Sequence, residues 1–502
     1  MNRMRTGLLL FLAAGLPHAA ILRGTVVEAQ TGKALAGALV VLEPVTGTPG
    51  EPASVRTSVY GTFEFSRLAG GSYLITASRR GFAPVHYGQR RWKAAGIPIT
   101  LEPAGSALIS VALPRYGAIS GFVLDENDVG LPEHEVVAYR ATQPPQLAAR
   151  AQADDRGRYR LSGLEPGKYF VRTVARQYED AGYLPTFFKQ SARVDDAQTV
   201  DVELDQETDH VDVQPAPGRL VTISGRIAPP AQANVTLVSD TGAETTLSDA
   251  AGNFQFNPAA PGPHELYAQG PSDSRTGEIQ AVYQSIFADR DRIDVRLDLR
   301  PLPQVQFVFK DTTGQAVSFH SVHVMARRKD LSGAGKTQIL ELPSDRVQFL
   351  PGRWELLLLP ATGSFVATVS IARSRGEAGH PEGWNEIALS AGLETVQAVL
   401  SATPGAVHGH VIGLRQEPVP GAPVYLEAWD PADRRRLRDL QVARADARGQ
   451  YRFTDLAPGT YRLLTSFDFE PPDAPFDASG VRTLRVDEAR DLAQDLQLSD
   501  TR

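Results

Sequence analysis

The sequence contains no cysteine. That absence excludes disulfides, thiolate metal sites, a cysteine nucleophile and a lipidated cysteine anchor together. Each folding unit must therefore be held by its own hydrophobic core. Dense runs of Lys and Arg are also missing, and the formal net charge is −7. A nucleic-acid or anionic-membrane surface has no electrostatic footprint in such a chain. After the N-terminus no segment approaches the ~20 continuous apolar residues of a membrane span. The motifs of hydrolytic and nucleotide chemistry are absent as well: His-x-x-Glu, His-Glu-x-x-His, Gly-x-Ser-x-Gly, Ser-x-x-Lys and phosphate-cradling glycine loops. No catalytic residue, metal ligand or cofactor is expected.

What the 502 residues do contain is glycine and proline, 44 and 36 of them, a level that suits many short strands joined by turns. The first residues read "MNRMRTGLLLFLAAGLPHAA". Arg3 and Arg5 give a positive start, Leu8 to Leu16 a short apolar run, and Ala19 and Ala20 small residues for cleavage. A secretory signal peptide over 1–20 is expected, and with it a secreted, periplasmic or cell-surface location. The C-terminus carries no cell-wall sorting pattern, so any surface attachment is expected to be non-covalent.

One pattern dominates the rest. In "DDRGRYRLSGLEPGKYFV", Gly157 and Tyr159 are followed by Gly167 and Tyr169. The frame recurs as Gly61, Phe63, Gly71, Tyr73, as Gly252, Phe254, Gly262, His264, and as Gly449, Tyr451, Gly459, Tyr461. Upstream of each box lies a strand–turn–strand pattern: "ILRGTVVEAQTGKALAGALVVLEP", "AISGFVLDENDVGLPEHEVVAYR", "TISGRIAPPAQANVTLVS" and "AVHGHVIGLRQEPVPGAPVYLEA". Downstream, an alternating run ends in Pro114, Pro215, Pro301 or Pro404. Between 301 and 404 the opening strand "QVQFVFKDTTG" is kept, but the box "DRVQFLPGRWELLLL" retains only Gly352 and Trp354. Gly157 and the Pro166-Gly167 pair answer to turn chemistry, and the rings fall on the same strand face as the aliphatic residues. The frame therefore predicts corners and core filling for two packed sheets, with no ligand needed to explain it.

The chain divides on this reading into a tandem all-β array of five Ig-like sandwiches: 21–114, 115–216, 217–301, 302–404 and 405–502, called here the first to fifth units. Linkers of one to three residues with proline suggest a semi-rigid rod on the order of 150–200 Å.

The order I-x-G-x-V, G-A-x-V and G-x-F-x-F-x-x-L-x-x-G-x-Y resembles carboxypeptidase regulatory-like domains, whose sandwich is prealbumin-like. Gly24, Gly37, Ala38, Val40, Gly61, Phe63, Leu68, Gly71 and Tyr73 carry it best. Residues 118–175 and 406–465 match nearly as well, 217–300 in part and 301–404 weakly. The resemblance implies a fold and a non-catalytic role. Related collagen-adhesin repeats often carry a Lys–Asn isopeptide bond. The opening strands "LRGTVV", "ISGFVL" and "VHGHVI" lack Lys and the closing strands lack Asn, so none is expected.

Several residues remain as candidates for chemistry. His408 and His410 share one strand face but lack a nearby third ligand, and His320 and His323 point to opposite faces. Asp154-Asp155 and Asp195-Asp196 suit solvated turns better than calcium. "GFAPVHYGQRRW" (81–92) echoes "GYLPTFFKQ" (182–190), which makes Tyr87, Trp92, Tyr183, Phe187 and Phe188 the candidate ligand contacts. Exposed, they would stack on sugar rings or anchor a protein; folded back, they would cap their own sandwich, which recurrence in two units favours. The expected function is a non-enzymatic extracytoplasmic binding or scaffolding protein whose partner is an envelope protein or a polysaccharide. Carbohydrate binding through the loop aromatics is the alternative, and a hydrolase accessory module a third.

Overall fold

A computed structural model describes residues 19–499 apart from 143–144, 240–241, 273–277, 330–337, 341–343, 372–378, 380, 472–475 and 477–479. Residues 1–18, most of the expected signal peptide over 1–20, lie outside the described residues. Ala20 lies inside it, buried, and opens the first strand opposite Leu68, so the sandwich begins one residue before Ile21.

The described residues are strands and turns with two short 3-10 turns. In the first unit, Ala20–Glu28 runs antiparallel to Thr62–Leu68 and parallel to Ser106–Leu113, making a three-stranded sheet. Facing it, Leu39–Pro44 pairs with Ala53–Arg56 and Gly71–Ser78, and Ile99–Leu101 adds to the latter. Burial alternates residue by residue along Ala20–Glu28 and from Thr62 to Ser66, as a sheet with one face in the core requires. The opening strand repeats this antiparallel-plus-parallel pairing in each later unit: Gly117–Phe122, Val221–Ala228, Gln304–Asp311 and Gly405–Ile412. The five main apolar clusters draw on 20–113, 119–213, 221–299, 305–400 and 407–496.

The glycine of the opening strand and the first ring of the box stand directly opposite one another. Gly24 pairs with Phe63, Gly121 with Tyr159, Gly225 with Phe254 and Gly409 with Tyr451. A Cβ on Gly225 would sit 2.7 Å from the Phe254 ring and 2.0 Å from the Val295 carbonyl, so the ring occupies the space the glycine leaves. The fourth unit reverses the sizes. Phe307 stands where the glycine should be, and Asp345, which accepts the Phe307 amide at 2.8 Å, stands where the ring should be. One ring still fills the layer, supplied from the other strand.

The array does not extend as a rod. Arg90 in the first unit meets Asp468 in the fifth at 3.4 Å, Arg91 meets Glu470 at 3.7 Å, and the Ala447 amide donates to the Thr46 carbonyl at 2.7 Å. Each consecutive pair of units is in contact too, so the contacts run in a closed circuit. The expectation of a rod assumed that short proline linkers merely separate neighbours. Instead the first linker is held by contacts to both of its neighbours. Arg115, in the first linker, bonds Glu28 through Nε at 2.7 Å, donates its amide to Asp205 at 2.7 Å, and lies over the Phe82 ring.

Candidate functional site

The second ring of the box makes the same bond in every unit. Its polar edge donates to the carbonyl four residues upstream: Tyr73 to Ala69 at 2.8 Å, Tyr169 to Glu165 at 2.7 Å, His264 to Ala260 at 2.7 Å, Trp354 to Leu350 at 2.9 Å and Tyr461 to Ala457 at 2.9 Å. Tyr, His and Trp share a flat apolar body with a donor at its tip, so each can fill the core and tie the preceding turn. Of the first rings, Tyr159 and Tyr451 donate to the carbonyls of Val211 and Gln494 on the closing segment. Burial is the main reason that the Tyr159 and Tyr461 hydroxyls are held far above the ordinary phenol range. These rings are buried between the layers.

The echoed loops are straps. Ala83 and Leu184 donate their amides to Pro114 and Ala216 in the segments leaving their units, both at 2.8 Å. Tyr87 and Phe188 donate to Ile75 and Val171 in the box strands, again both at 2.8 Å. Each strap thus ties the exit of its unit to its own sheet. Tyr183 is buried in the second core, donates to Glu126 at 3.2 Å, and packs edge-on against Tyr178 and His134. Phe187 is buried between Phe170 and the Arg172 guanidinium. Tyr87 and Phe188 are half-buried against their own cores, with the Lys189 ammonium over Phe188. Trp92 is half-buried at the junction of the first two units, edge-on to Tyr116. The exposure that sugar stacking requires is therefore not met by Tyr183 and Phe187, whose rings the strap turns inward.

The other candidates are occupied by local bonds. His408 pairs with Asp491 at 2.8 Å and His410 with Asp495 at 3.4 Å, on a charged sheet face shared with Arg452 and Gln450. His320 sits in a 3-10 turn and His323 on an exposed strand position. Asp154 caps its turn by accepting the amides of Arg156 and Arg158, and Asp195 faces Arg193. Among the described residues, no group of three His, Cys, Asp or Glu side chains could hold a metal, and no helix is long and apolar enough to cross a membrane.

The junctions hold what the sequence did not signal. Glu382 reaches from the fourth unit into the box turn of the fifth, accepting the Tyr461 hydroxyl at 2.7 Å and the Ala457 amide at 3.2 Å. Beside it opens a cleft of about 620 Å³ lined by Phe365, Trp429, Asp430, Pro431, Pro458 and Arg485, among others. Trp429 has the Arg462 guanidinium stacked 3.5 Å from its ring centroid. Glu382 carried no spacing signal, because its partners lie in another unit. Trp429 in "WDPADRRR" could have been marked as an aromatic beside an Asp-Pro turn.

The family model for the carboxypeptidase regulatory-like domain matches residues 21–114 and 118–214. No curated protein matches the chain. Among solved structures, the minor pilin of Streptococcus agalactiae is similar at 14% identity over 40% of this chain and 96% of its own, with a TM-score of 0.25. The shaft pilin of Lactobacillus rhamnosus GG is similar at 12% identity over 41% and 100%, with a TM-score of 0.24. A full-length pilus protein from Streptococcus pneumoniae is similar at 9% identity over 97% and 99%, with a TM-score of 0.18. None of these likenesses is close enough to carry a function across. Residues 21–114 and 118–214 thus match the carboxypeptidase regulatory-like domain, and the opening strand's antiparallel-plus-parallel pairing recurs in the later units of this all-β chain.

Proposed function

We propose that this chain is a non-enzymatic, extracytoplasmic scaffold that presents its outer surface to another envelope protein. The observation that carries this reading is how the polar groups are used. The second rings of the boxes, Tyr183 of the strap, the turn residues Asp154 and Asp195 and the strand residues His408 and His410 bond within the fold, and Glu382 with Tyr461 ties one sandwich to the next. A hydrolase needs a nucleophile or a water-activating group held beside a base and facing a substrate. Here the donors face neighbouring carbonyls instead.

Sugar binding is supported in a different place from the loop aromatics. Trp429 lines a cleft of about 620 Å³, a ligand-sized volume, and its indole carries a stacked arginine. Two experiments separate the readings: affinity capture from the native envelope fraction, and a glycan array with the purified chain. Scaffolding predicts capture of a defined protein with a blank array. Array signals lost in Trp429→Ala with unchanged melting would replace it by the sugar reading, and hydrolysis of an array ligand would overturn it.

A further inference from the structure

The junction that closes the circuit differs in kind from the other four. Consecutive units are joined by the chain itself, whereas the first and fifth are held only by non-covalent contacts. These are Arg90 with Asp468, Arg91 with Glu470, Ala447 with Thr46, and Gly421 against Pro98. Both arginines are more than half exposed, but Asp468 is nearly buried, so only the Arg91–Glu470 pair is of the weak exposed kind. No covalent tie crosses this junction to prevent its opening.

We propose that this surface also joins copies of the chain, the fifth unit of one molecule docking on the first unit of the next in place of its own. The complementarity is already built, because the same groups meet whether the fifth unit is supplied in cis or in trans. Within one molecule the junction forms at an effective concentration on the order of millimolar. Exchange between molecules therefore grows as the chain concentration approaches that range, as it does at a crowded surface. The interface is heterologous, since one patch meets a different one, so exchange produces larger rings or open head-to-tail strings. Opening requires one proline-marked linker to bend. This inference does not depend on the scaffold having a partner protein.

The absence of native cysteine makes the test direct. A Cβ on Gly47 would lie 3.3 Å from the Ala447 Cβ, near the separation of about 3.5–4.5 Å found in disulfides. Gly47→Cys/Ala447→Cys in one chain should oxidise to a cross-linked monomer when dilute. Mixing the two single variants permits only a bond between molecules. Under mild oxidation, the mixture should give a 47–447 disulfide dimer that rises with concentration. It should exceed a Tyr60→Cys plus Ala447→Cys control by at least about tenfold. Because Gly47 has φ near +90°, Arg91→Cys with Glu470→Cys and a bis-maleimide linker provides a second pair. Failure of both pairs to exceed the control at any concentration overturns the proposal. So does failure of both double variants to cross-link within one chain.

Discussion

Arg90 and Asp468 lie 378 positions apart in the chain and meet at 3.4 Å. Asp468 is nearly buried there, while Arg91 and Glu470 alongside are exposed. Added salt shortens the screening length from about 10 Å at 0.1 M to about 3 Å at 1 M. Arg90→Ala/Arg91→Ala should cost about 0–1 kcal/mol at the exposed Arg91–Glu470 pair and more at the nearly buried Asp468. It should also bring fluorophores on the first and fifth units into a lower-transfer state at low salt. The unmutated chain should reach that state only at high salt. Equal transfer at all salt concentrations in both proteins would contradict the ion-pair account.

The glycine–ring pairs give a sharp stability prediction. Gly225→Ala places a methyl 2.0 Å from the Val295 carbonyl and against Phe254, so the parallel strand must shift. A cost of about 1–3 kcal/mol is expected, as for overpacking elsewhere. Adding Phe254→Leu should recover part of it by freeing ring space. Chemical denaturation of the variants measures both.

The Tyr73 hydroxyl donates to the carbonyl four residues back, whereas the single proton of Tyr461 is shared between that carbonyl and the Glu382 carboxylate of the preceding unit. Tyr73→Phe should cost about 0.5–1.5 kcal/mol, the net value of one hydrogen bond. Tyr461→Phe should cost more, about 1.5–3 kcal/mol, because Glu382 loses a charge-assisted partner. Equal losses would mean that Glu382 contributes nothing at the junction.

His134 is fully buried in the second unit, between Tyr178 and Tyr183, with Nε2 at 3.0 Å from the Val174 carbonyl. Burial, aided by the Arg176 charge, pushes its pKa down to about 4. The folded state therefore resists protonation that the unfolded chain accepts near pH 6.5. Stability from this residue is complete above about pH 6.5 and falls as the pH drops to about 4. The loss is on the order of 3 kcal/mol. Urea denaturation across that range should show the slope, and His134→Gln should flatten it while lowering stability throughout.

Much of this was readable in the residues, and for a definite reason. Turns and strand faces are local, so Gly157, Pro166 and the alternating Arg158–Leu161 run announced a strand–turn–strand frame without any knowledge of contacts. The frame also identified the rings as core. Its weakest copy, in the fourth unit, was hard to read because Phe307 and Asp345 exchange sizes across two strands, which a position-by-position match cannot register. The straps were seen as an echo, but their direction was not. Whether Phe187 faces water or Arg172 depends on a sheet face assembled from distant segments. The junction groups left no trace at all, since Glu382 and Tyr461, or Arg90 and Asp468, are related only by how whole units pack.

Small-angle X-ray scattering of residues 20–502 in dilute solution tests the closed circuit of sandwiches most directly. The account predicts a compact particle with a radius of gyration of about 25–35 Å, somewhat above that of a single globule of this length. A radius of about 45 Å or more, with a maximum dimension of about 150–200 Å, would be the scattering of a rod and would contradict it.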